Sequence, residues 1–298
     1  MCDIISTMVD KKLILNNINE YKKPRRRAFS SKYPLFLKPI IFTRRIVRDM
    51  KNFLTLGGKL KKISFLPCVI ARHSSPLYRK LGETDSLLQI NKICNIKLAI
   101  EKINGIIIPP GKTFSFWYQV GKTDKKNGYV DGLVLSNGTP SVGVGGGLCQ
   151  LSNFLFWIFL HTDIKIIERH HHSVDAFPDS RRTLPFGSGA TIFCNYMDLK
   201  IKNISDNPLQ IKIWLTDKYL KGQILSNTPS DKKFHIKERE HCFIKKNKDY
   251  FRYNEIYRET RINGQKIKTE GIIKNFVPVK YEVSEEYIKK NNYKLIKI

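Results

Sequence analysis

The stretch CQLSNFLFWIFLHT, residues 149–162, decides the fold, because it has the length of a helix and is apolar at nearly every position. A surface helix carries its apolar side chains on one stripe, whereas a helix that is apolar all round has to be buried. The apolar run 154–160 is far shorter than the roughly 20 residues that cross a bilayer. The pattern therefore predicts a central helix that is enclosed by the rest of the chain.

The segments around this helix predict mainly strands. NIKLAIEKING (95–105) is the exception: Ile96, Ala99, Ile100 and Ile103 share one helical face, and a glycine follows. Alternating or β-rich composition predicts strands in the following segments: 105–117 (broken by Pro-Pro-Gly), 128–138, 163–173, 190–203, 208–215 and 219–226. Asn263-Gly264 predicts a two-residue hairpin. We therefore predict an α+β fold, with a buried central helix packed on a largely antiparallel β-sheet.

The organisation that we predict has three parts. Residues 1–80 form a basic N-terminal region that is interrupted by prolines, 81–230 form the core domain, and 231–298 form a β-rich C-terminal extension.

The charge of the chain is strongly positive. It has 53 Lys and Arg against 26 Asp and Glu, a net charge of +27, which favours anionic partners. We attribute more than half of this excess to a general bias towards Lys, Asn and Ile. Residues 1–60 nevertheless hold 14 basic and 4 acidic residues, interleaved with aromatic and aliphatic ones. This mixture predicts peripheral contact with an anionic membrane. We do not expect nucleic acid as a partner, because no nucleic-acid-binding motif is present.

The cysteine pattern and the N-terminal sequence predict the cellular compartment of the protein. The six cysteines are scattered without a CxxC pair, and no apolar signal-peptide segment follows Lys11 and Lys12. We expect reduced thiols and a cytoplasmic protein that touches the inner face of the membrane.

The motif GVGGGLCQLSN, residues 143–153, supplies the candidate nucleophile Cys149. Free N–H groups and the dipole at a helix start lower the pKa of a thiol. Glycines allow the backbone to bend with positive φ and to approach a substrate closely. A nucleophilic cysteine also needs a base that a third group orients.

The following segments supply that base and that third group. His170 and His172 fall on one side of the predicted strand 163–173, and Asp198 lies on the predicted strand 190–203. We predict Cys149, His170, His172 and Asp198 as catalytic candidates. The order of helix start, strand and strand resembles the layout of papain-like thiol enzymes.

Residues around these candidates are predicted to bind the substrate. Three glycines precede Cys149, and two polar residues follow it. One arginine adjoins the histidines, and two more lie in a Pro/Gly-rich loop (175–189). The predicted substrate-binding residues are Gly145, Gly146, Gly147, Gln150, Asn153, Arg169, Arg181 and Arg182.

Two alternatives remain for Cys149. It is either a small buried side chain beside a packed turn, or a ligand of a zinc ion held together with His170, His172 and Cys194. The sequence supports the zinc site less well, since no further close-spaced pair of ligands accompanies the histidines. We predict no metal ion and no cofactor. The phosphate-binding pattern GxxxxGK[ST] and the dinucleotide pattern GxGxxG are both absent.

Several motifs in one order resemble the VanW family: NIKLAIEKINGIIIPPGKTFSFWYQVG, GVGGGLCQLSN, IIERHHHSVDAFPDS and LPFGSGATIFCNYMDLKIKN. The resemblance runs from about residue 60 to at least residue 260. It implies an accessory protein of glycopeptide (vancomycin) resistance and cell-envelope metabolism, without fixing a reaction. Two hypotheses follow: a thiol-dependent enzyme that acts on a cell-wall precursor, and a non-catalytic protein that binds such a precursor or a partner from the resistance machinery.

Overall fold

The computed structural model describes residues 11–22, 35, 37–78, 86–136, 139–171, 173–175, 178, 183–193 and 196–298. They form an α+β structure in which sheets with mainly antiparallel strands surround one apolar helix, as predicted. The chain separates into two compact units, Met1–Ile46 and Val47–Ile298.

Helices α1 (Lys11–Lys22) and α2 (Leu37–Leu56) precede the first strand. On α1, Ile14 and Ile18 are four residues apart, so they share one face of the helix, and both are buried.

Helix α5 (Leu148–Leu160) is the predicted central helix. Its buried side chains point in every direction around the helix axis, so neighbouring elements have to cover all of its faces. Helix α3 (Ser86–Ile103) covers one face, and its Ile96, Ala99, Ile100 and Ile103 are buried as the periodicity predicts. The prediction of a buried central helix is confirmed.

The first sheet covers a second face of α5. It has the order β1-β9-β8-β2, is antiparallel throughout, and consists of β1 (Cys68–Pro76), β2 (Ile107–Ile108), β8 (Leu209–Leu215) and β9 (Tyr219–Ser226). Both β1 and β9 contact α5. The strands predicted at 208–215 and 219–226 are both present, and they pair with each other. Residues 68–76, which we assigned to the basic N-terminal region, instead pair along β9 as the edge strand of this sheet.

Two smaller sheets and a short helix lie near the two ends of α5. One sheet has the order β3-β7-β6 and the other is the hairpin β4-β5. Their members are β3 (Thr113–Ser115), α4 (Phe116–Val120), β4 (Asp131–Ser136), β5 (Thr139–Val144), β6 (Ile164–Glu168) and β7 (Lys200–Asn203).

Strands β6 and β7 are shorter than the sequence predicts. His170 and Asp198 lie just outside them, since the ladder between β6 and β7 ends at the pair Glu168 and Lys200. Beyond β6, an isolated bridge joins His170 to Thr191.

The C-terminal extension is a sheet of long strands in the order β12-β11-β10-β13. It consists of β10 (Lys232–Lys246), β11 (Asp249–Ile262), β12 (Gln265–Pro278), α6 (Glu285–Lys290) and β13 (Lys294–Lys297). Asn263 and Gly264 form the turn between β11 and β12, with φ of 49° and 79°, and this confirms the predicted hairpin.

One buried arginine of β11 binds the carboxyl end of α5. Arg258 donates from Nη1 to the carbonyls of Leu160 (3.2 Å) and Thr162 (2.9 Å), and from Nη2 to that of Ile164 (3.3 Å). The last carbonyls of a helix have no partner within the helix. Arg258 supplies a partner for the Leu160 carbonyl and for two carbonyls just beyond the helix, and Glu270 of β12 balances its charge.

We expect Arg258→Gln to lower the free energy of unfolding by about 3 kcal/mol, because Glu270 loses its buried partner and three carbonyls lose a hydrogen bond. Urea titration followed by circular dichroism measures the change. Arg239→Gln is the matched control: Arg239 lies on the adjacent strand, is half exposed and pairs with Glu255. Its loss should cost about 1 kcal/mol or less. Equal losses in the two variants would contradict the capping role.

Candidate functional site

The glycines before Cys149 form a tight turn packed against β4 and α3. Gly145 donates its N–H to Val130 O (3.0 Å), and Gly147 donates to Leu133 O (2.9 Å). Asn95 of α3 binds the same turn, because its Nδ2 donates to Gly146 O (2.9 Å). These bonds tie the start of α5 to its neighbours.

Close packing explains why Gly146 and Gly147 are glycines. A Cβ atom on Gly146 would overlap the backbone of Gly132 on β4. Gly147 has a φ of 92°, which favours glycine, and a Cβ there would overlap the side chain of Lys92. We predicted that the glycines approach a substrate. Contacts within the protein already favour glycine at Gly146 and Gly147, and binding of a substrate by the glycines stays a prediction.

Cys149 lies in the first turn of α5, as predicted, but its thiol faces the protein. Sγ donates a hydrogen bond to Ile192 O (3.5 Å) and packs against the apolar core. Burial raises the pKa of the Cys149 thiol, and the hydrogen bond to the Ile192 carbonyl only partly offsets this rise. This environment does not favour the thiolate, and a catalytic role of Cys149 stays a prediction.

His170 is oriented by a carboxylate and not by the thiol. Its Nε2 lies 3.0 Å from Glu168 Oε1, and its backbone carbonyl accepts from Thr191 N (2.8 Å). Because Ile192 follows Thr191, the segments that carry Cys149 and His170 are neighbours. Their side chains are nevertheless hydrogen-bonded to different partners.

Glu168 is the centre of a charged cluster. Besides His170, it binds Arg48 of α2 in an ion pair, and its Oε2 lies 3.3 Å from Lys200 Nζ. The backbone N–H of Asp198 donates to Oε1 (3.1 Å). Burial by itself would raise the pKa of Glu168, but hydrogen bonds from His170 and Arg48 and the charge of Arg48 lower it to about 2. We call Arg48, Glu168, His170 and Lys200 the Glu168 cluster.

Asp198 has a structural environment. Its carboxylate accepts from Ser115 Oγ (2.5 Å) and from Trp117 N (3.0 Å), at the start of α4. Burial raises the pKa of Asp198, although these hydrogen bonds oppose the rise. The carboxylate thus satisfies the N-terminus of α4, and a role of Asp198 in orienting a catalytic histidine stays a prediction.

The predicted substrate-binding residues make structural hydrogen bonds. Gln150 Nε2 donates to Pro76 O of β1 (2.7 Å), and Asn153 Oδ1 accepts from Ala190 N (2.7 Å). Arg169 donates from Nε to Gly189 O (2.9 Å) and from Nη2 to Gly187 O (2.5 Å). Asn153 and Arg169 thus bind the 183–193 segment, whereas Gln150 joins α5 to β1. His172, Arg181 and Arg182 lie outside the described residues.

A metal site finds no support within the part of the chain that the structure describes, where no three His, Cys, Asp or Glu side chains are grouped so as to hold an ion. Two residues of the zinc alternative, His172 and Cys194, lie outside those residues. A groove of about 550 Å³ lies elsewhere, between β6 and the C-terminal sheet, and its lining includes Asp163, Phe234 and Arg258.

Sequence reasoning missed Arg48 and Lys200 as members of the Glu168 cluster. Arg48 is 120 residues from Glu168 along the chain, and Lys200 reaches Glu168 only because β7 pairs with β6. The one local signal was Glu168 itself, which shares a strand side with His170.

Comparison with known proteins gives a family and a context. Residues 91–225 match the model of the family described as VanW like protein. The chain is 36% identical over 204 residues to the vancomycin B-type resistance protein VanW of Enterococcus faecalis, covering 68% of this chain and 72% of that protein. It is 31% identical over 121 residues to the uncharacterized protein YoaR of Bacillus subtilis, covering 40% of this chain and 37% of that protein. No solved structure matches.

The pKa of Glu168 predicts a pH dependence of stability. Its folded value of about 2 lies below the ordinary 4.5, so its contribution is complete above pH 4.5 and is lost as the pH falls towards 2. We expect Glu168→Gln to lower the free energy of unfolding at pH 6, by up to about 3 kcal/mol. The difference from wild type should then shrink between pH 4.5 and pH 2.

Urea titrations at a series of pH values test this dependence. The control is Glu282→Gln, an exposed carboxyl, for which we expect little change at any pH. A loss in Glu168→Gln that is the same at pH 3 and at pH 6 would show that the ionised carboxylate contributes nothing.

The environment of Cys149 predicts slow alkylation. We expect iodoacetamide to modify Cys149 more slowly than the exposed Cys94, with a rate that still rises above pH 9, because burial hinders both access and ionisation. Mass spectrometry of each cysteine peptide measures the rates, and labelling in urea should make them similar. A Cys149 rate in the native protein that levels off below pH 8 would contradict the structure.

Proposed function

Because the chain belongs to the VanW-like protein family, we propose that it is an accessory protein of glycopeptide resistance that binds a cell-envelope component without thiol chemistry. The relative in Enterococcus faecalis is named a vancomycin B-type resistance protein, and this name supplies the context. The bound component is a cell-wall precursor or a partner from the resistance machinery.

The environment of Cys149 is the observation that favours a binding function over thiol catalysis. A thiol nucleophile needs a base within hydrogen-bond reach and an environment that favours the thiolate. Here the thiol donates to Ile192 O, burial raises its pKa, and His170 is bound to Glu168. Only the position of Cys149 in the first turn of α5 favours thiol chemistry.

The Glu168 cluster is the site where we place binding. It gathers the side chains of Arg48, Lys200 and His170 around one carboxylate. The imidazole of His170 is partly exposed, so a ligand can reach it, and the carboxylate fixes its orientation. Arg48 and Lys200 make the surroundings attractive to an anionic group.

The cytoplasm is the compartment that we propose for this activity. Cys68, Cys94, Cys149 and Cys242 are free thiols, which suits a reducing environment. No helix among the described residues is long and apolar enough to span a bilayer.

A resistance assay separates binding from thiol catalysis. In a resistant strain whose own copy of the gene is deleted, we expect the inhibitory concentration of vancomycin to fall and the wild-type gene to restore it. Cys149→Ala and its matched control Cys94→Ala should restore it equally, because neither thiol takes part. His170→Ala should fail to restore it, since the ligand loses its exposed contact.

Immunoblotting and thermal unfolding show whether each variant is folded and equally abundant. A folded, abundant Cys149→Ala protein that restores no resistance would overturn the proposal in favour of a thiol enzyme. A deletion that leaves the inhibitory concentration unchanged would refute the resistance role itself.

A further inference from the structure

The C-terminal half of α2 (Val47–Leu56) is held to the protein by its polar side. Arg48 binds Glu168 and donates from Nη1 to Tyr196 O (2.6 Å). One turn later, Asn52 is buried and its Oδ1 accepts from Lys200 Nζ (2.8 Å). Residues four apart share a helix face. This half of the helix therefore contacts the Glu168 cluster through the face of Arg48 and Asn52.

The opposite face is apolar and exposed. Val47, Met50, Phe53 and Leu54 have exposed fractions of 59%, 61%, 64% and 78%. With 3.6 residues per turn, they fall within one arc of roughly 120° whose centre is opposite the Arg48 and Asn52 side. A helix on a globular protein normally turns its apolar stripe inwards. This one has the reverse orientation, and contiguous exposed apolar surface of this kind marks an interaction site.

The charges next to this apolar arc are mainly positive. Residues 47–62 contain five Lys and Arg and one Asp. Lys51 lies beside the arc, and Lys59 and Lys61 follow the helix directly; all three are exposed. Such a combination of aromatic and aliphatic side chains with flanking lysines suits an anionic lipid surface, where the lysines meet the headgroups.

We propose that the face formed by Val47, Met50, Phe53 and Leu54 inserts into the interface of an anionic lipid bilayer. The helix lies in the plane of the membrane surface, with its apolar side chains at the level where headgroups meet acyl chains. The Arg48 and Asn52 contacts keep the body of the protein on the aqueous side. The Glu168 cluster is thereby held close to the membrane. This inference does not depend on the proposed function.

Vesicle sedimentation with the full chain tests the proposal. We expect binding to phosphatidylglycerol vesicles in 0.1 M NaCl, and much weaker binding to phosphatidylcholine vesicles. Phe53→Ser with Leu54→Ser should weaken binding by about tenfold or more, because burying each side chain contributes more than a factor of ten when complete. Lys51→Gln should weaken it about fivefold. Val142→Ser with Ile267→Ser, at comparably exposed positions, should change it little.

The double variant keeps every charge, so it distinguishes insertion from general attraction of a basic protein. Unchanged binding of Phe53→Ser with Leu54→Ser would overturn the proposal. So would a wild-type chain that binds neither kind of vesicle, or one that self-associates through this face in sedimentation velocity without binding lipid. Should the double variant unfold, Met50→Ser tests the same face, with an expected loss of a few fold.

Discussion

The structure depends on the burial of α5, a helix of 13 residues with apolar side chains on all sides. No single neighbour can cover such a helix. The β1-β9 side of one sheet and helix α3 pack on it, and Arg258 from the C-terminal sheet binds its last carbonyl. At its start, close backbone packing allows no side chain at Gly146. The burial of this one helix away from solvent therefore brings segments from β1 to β11 together.

That burial also determines the chemistry of the residues beside the helix. In a poorly solvated environment the charged form of an acid is disfavoured, and burial raises the pKa of both Cys149 and Asp198. Glu168 is the contrasting case. It is also largely shielded from water, but Arg48, Lys200 and His170 surround its carboxylate, and its pKa falls to about 2. The ionised group of this region is therefore held by two cations, Arg48 and Lys200, which come from α2 and β7.

The residues of the central motifs consequently have two kinds of role. Gln150, Asn153 and Arg169 bind backbone carbonyls or N–H groups and hold the segments around α5 in place. Glu168 and His170 join polar side chains from α2 and β7 at a surface that solvent reaches. The motifs that suggested catalysis therefore consist largely of residues that hold neighbouring segments together. The polar side chains that solvent reaches, Glu168 and His170, lie at the end of β6 and just beyond it.

The sequence by itself determined the elements whose signal is local. The all-apolar run of α5, the one-sided periodicity of Ile96 to Ile103 and the Asn263-Gly264 turn each predict their structure from neighbouring residues. Tertiary structure alone decided which groups meet. Nothing near Cys149 in the chain indicates that its thiol faces Ile192, and nothing near Glu168 indicates Arg48. Hydrogen bonds and desolvation act through space, so a side chain's charge and reactivity are fixed only when distant segments have packed around it.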